Sequence, residues 1–410
     1  MRIPAVLALL LFLACGGGGD SPATPAAPAI LAFTATPSVI TAGESSTLAW
    51  TVSDATRLTL NGGPISGQSS VVSPSATTQY TLVVTGSGQR SATVTVTVGS
   101  QSPKYGDFRK ADLGVGANLN GAIAFSADND WNQDISSASV DPNSANILAS
   151  MGLHTGLHPD FGSGPWDGAP IGIPYLVVGS AQPRVAVALT EYADESDPGP
   201  FPIPVSAPIE GQKLDGSTFS GDRHVLVIDK DANRLYELGN AYPLANGTWQ
   251  ASGSYLFTLD GLVARPTAQH GWTSADAAGL PIFAGLARYE EAASGAIRHA
   301  LRFTVNASRQ AYVPPATHWA SEDTNANLPP MGMRVRLNAT FSIPGTFSAE
   351  SRAILQALKT YGMLVADNGS SWFITGAPDS RWNNDALLGE LGAVKGSDFE
   401  VLKMDGIIVP

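Results

Sequence analysis

Cysteine is almost missing from this chain of 410 residues, because Cys15 is the only one. A single thiol excludes a disulfide within the chain and any zinc site built from several cysteines. Long apolar runs are missing too, since beyond the N-terminal segment no stretch reaches the roughly 20 residues that a membrane-spanning helix needs. The bulk of the chain is therefore not expected to cross a bilayer.

Charge is also scarce, with 14% of residues charged against roughly a quarter in ordinary proteins. Acidic residues outnumber basic ones by 35 to 23, the net charge is −12, and no cluster of Lys and Arg stands out. Because phosphate contacts need clustered basic side chains, nucleic-acid binding is not expected. The balance favours a neutral or cationic ligand.

Several signature motifs are absent as well. The chain has no P-loop, no Gly-x-Gly-x-x-Gly, no His-Glu-x-x-His and no Gly-x-Ser-x-Gly. These absences weigh against a nucleotide hydrolase, a dinucleotide enzyme, a metalloprotease and a common serine hydrolase.

Glycine and proline, by contrast, are abundant, at 43 and 29 residues, while Lys and Glu are few. This composition predicts a mainly β fold rich in turns. A hydrophobic content of 43% allows sizeable cores, and the length predicts two or three domains. We expect a small β-sandwich at residues 29–99 and a large β-rich catalytic domain at 105–410. The second is expected to be a barrel or sandwich with a few short helices.

The N-terminus has the pattern of a signal peptide, with a basic Arg2 before an apolar run over residues 3–14. The segment Phe12-Leu13-Ala14-Cys15 resembles a bacterial lipobox, which implies that Cys15 is lipidated and becomes the first mature residue. The alternative is an ordinary signal peptide cleaved nearby. Residues 16–28 are rich in Gly, Pro and Ala and predict a flexible tether. The resemblance implies an exported protein held at the bacterial outer membrane or cell surface by its lipid anchor only.

Residues 29–99 alternate strand and turn patterns, including the tight-turn dipeptide Asn61-Gly62. The stretches at 41–48 and 77–82, together with Trp50, resemble the cysteine-free immunoglobulin-like modules of bacterial surface proteins. This likeness implies an immunoglobulin-like sandwich that acts as a spacer. Carbohydrate binding is an alternative, but Trp50 is better explained as a core residue.

The second domain contains all six histidines and seven of the eight tryptophans. Core packing explains any single Trp, but seven together make an aromatic-lined cleft plausible. Such rings can stack on sugars. Five side chains are therefore candidate substrate-binding residues: His158, His270, Trp272, Trp319 and Trp372.

The stretch 265–305 is the first place to look for chemistry, since Asp276 lies there among small residues, between two histidines. Asp160, in a loop with His158, and Asp367, at the end of an apolar run, are the other candidate carboxylates. Paired carboxyl groups suit glycosidic bond cleavage, one as general acid and the other as base or nucleophile. His224 and His299 could orient groups or move protons, although His224 also suits a structural role within a strand.

No cofactor is expected. Residues 128–134 alternate acidic and amide side chains in a way that could hold Ca²⁺, but Gln133 replaces the required Gly and no terminal Glu follows. A solvated turn is the simpler explanation. His154 and His158 would need a third ligand from elsewhere to bind zinc.

Two further resemblances concern the second domain. The segments at 157–162 and 271–276 look like those of uncharacterised secreted bacterial proteins, which implies export and little else. The segments at 330–335 and 361–369 are similar to the double-psi β-barrel of murein-cleaving and some cellulose-cleaving enzymes. That likeness implies a barrel in which Asp367 is catalytic, although the helix between the two segments departs from the simplest version of that barrel.

Local patterns predict several elements of this domain. Residues 222–229 and 234–238 should form a hairpin with a turn at 230–233, and their alternation places Leu226 and Ile228 on one face. A helix is expected at 348–361, with Ser348 as N-cap, and a last one at 385–391. Residues 363–369 and 371–376 read as another hairpin, turning at Asn368-Gly369.

Two functions remain. The first is an enzyme, a glycoside hydrolase or polysaccharide lyase, that acts on an extracellular polysaccharide. The second is a non-catalytic surface lipoprotein that binds glycan or a partner. An enzyme should bring at least two of the carboxylates and a His into one site, whereas a binding protein should show a Trp-lined groove with scattered acids.

Overall fold

The computed structural model describes residues 26–36, 38–41, 45–74, 76–99, 104–217 and 221–410. The chain divides into two compact units, residues 1–100 and 101–410. The expected signal peptide, Cys15 and most of the tether lie outside the described residues. Within the described part, no helix is long and apolar enough to cross a membrane.

The first unit is a two-sheet β-sandwich. Its strands are β1 Ala29–Thr36, β2 Val39–Thr41, β3 Ser46–Ser53, β4 Arg57–Leu60, β5 Gly63–Pro64, β6 Ser69–Val72, β7 Thr78–Thr85 and β8 Gln89–Gly99. One sheet has the order β1-β3-β6 and the other β2-β8-β7-β4-β5. Asn61 and Gly62 both have positive φ between β4 and β5, as the tight turn requires.

Alternate apolar side chains from the two sheets meet in the core of this unit. Leu48, Leu82, Val84 and Val96 are buried there with Trp50. The Trp50 indole Nε1 donates to the Gly67 carbonyl at 3.0 Å. Trp50 is therefore a core residue, as predicted.

The second unit is also mainly β. Its strands, long and short, are β9 Lys104–Tyr105, β10 Gly114–Val115, β11 Ala122–Ile123, β12 His158–Asp160, β13 Pro165–Trp166, β14 Ala169–Pro170, β15 Tyr175–Val178, β16 Val187–Leu189, β17 Val225–Asp229, β18 Arg234–Gly239, β19 Tyr242–Pro243, β20 Trp249–Ala251, β21 Gly253–Thr258, β22 Leu301–Val305, β23 Arg334–Leu337, β24 Met363–Asn368, β25 Phe373–Thr375 and β26 Phe399–Val401. Four helices accompany them in the described residues: α1 Ser144–Met151, α2 Tyr289–Ala293, α3 Ala349–Thr360 and α4 Asn384–Gly392.

Two large sheets organise this unit, a five-stranded one with the order β10-β15-β17-β18-β21 and a six-stranded one with the order β12-β25-β22-β24-β23-β26. Leu226 and Ile228 pack in the core that both sheets share. Val225 and Val227, on the other face of β17, pack in a second core beside Trp249. The predicted hairpin of β17 and β18 and its alternation are confirmed, and both of its faces are buried.

Neither large sheet closes on itself in the described residues, because β12 and β26 end the six-stranded order and β10 and β21 end the five-stranded one. The predicted mainly β, sandwich-type fold is confirmed. The barrel alternative, including the double-psi version, is wrong for this part of the chain. Strand alternation alone does not distinguish an open sheet from a closed one, because both bury every second side chain.

The hairpin predicted from β24 and β25 is also wrong. Strand β22 lies between them, parallel to β24 and antiparallel to β25. After Asn368 the chain crosses over β22, and the Gly369 amide donates to the Val305 carbonyl at 2.8 Å. Strand β22 is apolar and buried, so both its edges can pair within the sheet. Arg302 is thereby placed between the strands that end at Asn368 and Thr375.

The predicted helices at 348–361 and 385–391 are present as α3 and α4. The Ser348 side chain caps α3 by accepting from the Ser351 amide. It also donates to the Glu390 carboxylate of α4 at 2.7 Å, which joins the two helices. Asn383 caps α4 in the same manner, by accepting from the Ala386 amide.

Candidate functional site

A buried ion pair between Arg302 and Asp276 forms the centre of the candidate site. The Arg302 Nε and Nη2 atoms donate to the two carboxylate oxygens of Asp276 at 3.0 and 2.7 Å. Its Nη1 atom donates to the Thr375 hydroxyl at 2.6 Å. Burial works against the charge of Arg302, but Asp276 raises the pKa of the guanidinium above its usual range. The pair is therefore ionic, fixed and shielded from water.

The loop that holds Asp276 is fixed by its own small polar residues. The Ser274 hydroxyl accepts from the Asp276 amide at 3.0 Å and donates to the Leu280 carbonyl at 2.6 Å. The Ala278 amide donates to the Ala366 carbonyl at 2.9 Å. This last bond places the loop against the end of β24, immediately before Asp367.

Asp367 is the half-buried carboxyl of the cluster. Burial and the negative charge of Asp276 raise the pKa of Asp367 to about 6, against the opposing effect of Arg302 and His224. A β-bulge in the pairing of β22 with β24 lies beside it, at Phe303 and Thr304. Asp367 is thus a carboxyl group that can be protonated near neutral pH.

Asp160 reaches the same cluster from the other side. It ends β12, which runs parallel to β25, and it pairs in register with Thr375. Asp160 is exposed to solvent, yet the surrounding protein still raises the pKa of its carboxyl, partly offset by His158 and Arg302. The Arg302 charge therefore acts on Asp160, Asp276 and Asp367 together.

His224 precedes β17 and joins the cluster from the five-stranded sheet. Its Nδ1 atom lies 2.5 Å from Oε2 of Glu210, and its Nε2 atom lies 2.9 Å from the Ala275 carbonyl oxygen. Burial alone would lower the pKa of His224, but the Glu210 carboxylate raises it to about 9. A carbonyl and a carboxylate both accept, so the geometry fits an imidazolium that donates from both nitrogens.

Glu237 lies beneath the cluster on β18 and is fully buried. Its carboxylate oxygens accept from the Ile282 and Phe283 amides at 3.1 and 3.0 Å. Burial and the charge of Asp276 raise the pKa of Glu237 to about 7, despite those two hydrogen bonds. Glu237 therefore holds the segment that follows the Asp276 loop and has no access to solvent.

Aromatic rings lie on both sides of the carboxylates. The His158 ring stacks on Phe373 at 4.0 Å, next to Asp160. On the other side Trp319 is half-buried and stacks on His318 and Tyr312, with His270 against Tyr312. The His318 Nδ1 atom lies 2.7 Å from the Ala277 carbonyl oxygen, which places this aromatic group beside the Asp276 loop.

A hydrogen bond ties the aromatic side to Asp367 as well. The Asn368 side-chain amide donates to the Ala320 carbonyl at 2.9 Å. Trp319 immediately precedes the acceptor residue Ala320, and Asp367 immediately precedes the donor residue Asn368.

Trp372 does not contribute to this surface, so the expectation that it binds substrate is wrong. The ring is fully buried between Phe303 and Phe399, and its Nε1 atom donates to the carbonyls of Met151 and Gly152. Trp372 also adopts a positive φ of 67°, which is uncommon for a bulky residue.

Two other predicted residues lie in separate clusters. His299 is buried against Glu291 and Arg288, and none of its hydrogen-bonding partners belongs to the Arg302 cluster. Trp272 is half-buried, with the Arg265 guanidinium 5.3 Å from its ring.

The remaining tryptophans are mostly core residues. Trp131, Trp249 and Trp382 are buried. Trp166 is 79% exposed and is the last residue of β13. The aromatic lining is therefore smaller than seven tryptophans implied.

No group of three or more His, Cys, Asp or Glu side chains in the described residues is arranged to hold a metal ion. The amides of the suspected calcium loop serve the fold instead. Asn129 donates to the Leu262 carbonyl at 2.6 Å, and Asn132 donates to the carbonyls of Ala124 and Ser126.

Three members of the cluster were not proposed from the sequence. Arg302 and Glu237 each interrupt an apolar strand, and a charge at such a position indicates a buried partner. Glu210 lies in an irregular segment where no sequence pattern distinguishes it. No protein-family model, curated protein or solved structure matches the chain.

Proposed function

We propose that residues 105–410 cleave an extracellular polysaccharide by acid–base chemistry of carboxyl groups supported by histidine. One observation supports this above all: Asp160, Asp276, Asp367 and His224 gather around Arg302, although they are distant in the chain. A glycan-binding surface has no need for such a cluster. Perturbed carboxyl groups held in a fixed geometry are typical of catalytic sites.

Asp367 has the properties of the general acid. With a pKa of about 6, it keeps a proton in weakly acidic solution and can give it to the glycosidic oxygen as the bond breaks. Asp160 is open to solvent and would activate a water molecule or attack the sugar carbon. Asp276 is fully buried and paired, so it keeps Arg302 in place and keeps the Asp367 pKa high.

The substrate inferred from these surroundings is an uncharged polysaccharide. The half-buried rings of Trp319 and His158 offer flat surfaces on which sugar rings can pack. The acids of the cluster outnumber Arg302 and His224, the basic partners at its centre. A polyuronate would be repelled, which favours a hydrolase over a lyase, because eliminative cleavage needs a uronate.

We also propose that the protein is exported and anchored through lipidated Cys15, with the immunoglobulin-like sandwich as a spacer. The signal-peptide pattern and the position of the only cysteine support this. In a bacterial host, the chain should take up labelled palmitate and remain in the membrane fraction, whereas Cys15→Ser should do neither. Incorporation that survives the substitution would refute the anchor.

The catalytic proposal is tested with the chain that begins after Cys15, incubated with a panel of neutral, amino-sugar and uronate polysaccharides. New reducing ends should appear with a neutral glycan and vanish in Asp367→Asn. The control is Asp215→Asn, since Asp215 is exposed and outside the cluster. Cleavage that persists in Asp367→Asn would reject the role of Asp367.

The alternative is a glycan-binding protein without catalysis, and the exposed ring of Trp166 favours it. Retention on a glycan column without any new reducing ends, abolished by Trp166→Ala, would establish that alternative and reject the hydrolase.

A further inference from the structure

The second unit also has a groove with a volume of about 520 Å³. This volume lies within the range of roughly 300–1,000 Å³ that is usual for ligand sites. Much of the groove wall is proline, contributed by Pro165, Pro170, Pro174, Pro208 and Pro378. Because each proline ring fixes its own backbone torsion, this wall is preorganised before any ligand binds.

The groove is continuous with the candidate site around Arg302. Three chain segments carry a residue of that site and, within three positions of it, a residue of the groove wall: Asp160 with Gly162, Glu210 with Ile209, and Thr375 with Pro378. Three residues of extended chain span at most about 11 Å, so the wall begins close to the carboxylates. Burial and the charge of Glu210 both raise the pKa of Asp160, which places the first two segments near each other.

The two charged residues of the wall already have partners. The Lys213 Nζ atom donates to the Asp167 carboxylate at 2.9 Å. The Arg381 guanidinium donates to the Asp379 carboxylate at 2.8 Å. The groove therefore offers little unused charge, and an ionic ligand would gain little from it.

Uncharged polar groups of the wall, in contrast, are unused. Gln212 is half-buried and Ser380 is exposed. Neither the Gln212 amide nor the Ser380 hydroxyl has a hydrogen-bond partner among the described residues. Leu214 adds an apolar side chain to the wall that is 72% exposed. The wall thus combines rigid apolar rings with a few free donors and acceptors.

We propose that this groove is a distal subsite, which holds an uncharged stretch of a polysaccharide chain next to the carboxylate cluster. A sugar ring has apolar C–H faces and hydroxyl groups at its edge, which match proline rings placed beside an amide and a hydroxyl. A purely apolar ligand would leave the Gln212 amide without a partner. The choice of a polysaccharide rests on the proposed function, and the groove extends it, because neither Trp319 nor His158 lines this wall.

The test measures binding to the chain that begins after Cys15 and carries Asp367→Asn, so that the probes are not consumed. The probes are the two-unit and six-unit oligosaccharides of cellulose, xylan and chitin, and the readout is isothermal titration calorimetry. At least one six-unit probe should bind about tenfold more tightly than its two-unit form, because only the longer chain extends from the cluster into the groove.

Two substitutions in the wall test the groove directly. Gln212→Ala and Leu214→Ala should each weaken the binding of that six-unit probe by roughly three- to tenfold, as expected for one lost hydrogen bond or apolar contact. Leu262→Ala is the matched control, since Leu262 is 62% exposed and does not line the groove. It should leave the affinity unchanged.

Two results would overturn the proposal. One is that no six-unit probe binds more tightly than its two-unit form. The other is that the affinity for the six-unit probe is unchanged in either Gln212→Ala or Leu214→Ala.

Failure of the subsite can be distinguished from failure of the hydrolase. If the chain with Asp367 intact releases no reducing ends, but both wall variants weaken binding, the hydrolase is wrong and the subsite stands. If that chain cleaves a polysaccharide and both wall variants cleave it with unchanged kcat/KM, the subsite is wrong and the hydrolase stands.

Discussion

The Nδ1 atom of His224 and the Oε2 atom of Glu210 lie 2.5 Å apart, and the Nε2 atom of the same ring faces the Ala275 carbonyl. Glu210 is 23% exposed and His224 is buried. The pair connects the five-stranded sheet to the Asp276 loop. We interpret His224 as a fixed cation behind the carboxylates, which positions the loop and does not shuttle protons.

This interpretation predicts a pH dependence of stability. The folded pKa of His224, about 9, lies above its ordinary value of 6.5. The ion pair should therefore stabilise the fold fully below pH 6.5, and the stabilisation should disappear as the pH rises through 9. The difference corresponds to about 3 kcal/mol. Denaturant unfolding of the wild type and Glu210→Gln between pH 6 and pH 10 measures it, and the variant should lack this component of the decline.

The protonation state itself is accessible by NMR. At pH 7.5 both ring nitrogens of His224 should give the ¹⁵N shifts of an imidazolium, and Glu210→Gln should return the ring to a neutral form. A neutral His224 ring in the wild type at pH 7.5 would contradict the imidazolium interpretation.

Asp276→Asn should be strongly destabilising. It leaves the Arg302 guanidinium buried without its counter-charge, which typically costs about 3–5 kcal/mol of unfolding free energy. The double variant Asp276→Asn with Arg302→Met removes both charges and should recover much of that loss. Chemical denaturation of the wild type, Asp276→Asn and the double variant tests this. If the unfolding free energy of Asp276→Asn lay within about 1 kcal/mol of the wild-type value, as for a surface substitution, the ion pair would be unimportant for stability.

Asp367→Asn should have the opposite effect on stability. Because the folded pKa of Asp367, about 6, exceeds its ordinary 3.8, ionisation works against the folded state as the pH rises through 6. Above pH 7 the variant should gain about 1–2 kcal/mol of unfolding free energy. This is less than the full pKa shift would give, because Asp367 is only half-buried and solvent screens its charge. Near pH 3.5 the gain should vanish. A gain that does not vary with pH would mean that its origin is not the charge.

Trp372 and Trp319 form a matched pair that separates packing from ligand contact. Trp372→Ala removes a fully buried ring from among Phe303 and Phe399 and should cost about 3–5 kcal/mol. Trp319→Ala, at a half-buried ring, should cost clearly less but weaken glycan retention. Thermal unfolding and affinity electrophoresis on the same preparations distinguish the two, and equal stability losses would contradict this assignment.

Local chemistry explains which features could be predicted. The Asn61-Gly62 turn, the cap at Ser348 and the alternation along β17 depend on neighbouring residues, and each is present. The hairpin of β24 and β25 failed because a third strand, distant in sequence, takes the place between them. Pairing between distant strands leaves no periodic pattern in a single sequence.

The same distinction applies to the site. Asp276 and Asp367 were recognisable as carboxylates at strand ends or among small residues. Glu210 lies 14 residues before His224, and Thr375 lies 73 residues after Arg302. Both partnerships depend on tertiary packing and not on a local pattern, so composition and spacing could not reveal them.

The insertion of β22 between β24 and β25 also has a kinetic meaning. Arg302 leaves the ribosome well before residues 363–375, which complete the sheet on both sides of it. Closing such long loops makes pairing slow and late. During synthesis, Arg302 can acquire its partner on β25 only after most of the chain has emerged. The candidate site around Arg302 is therefore among the last parts to assemble, and a chain truncated before Phe373 would lack it.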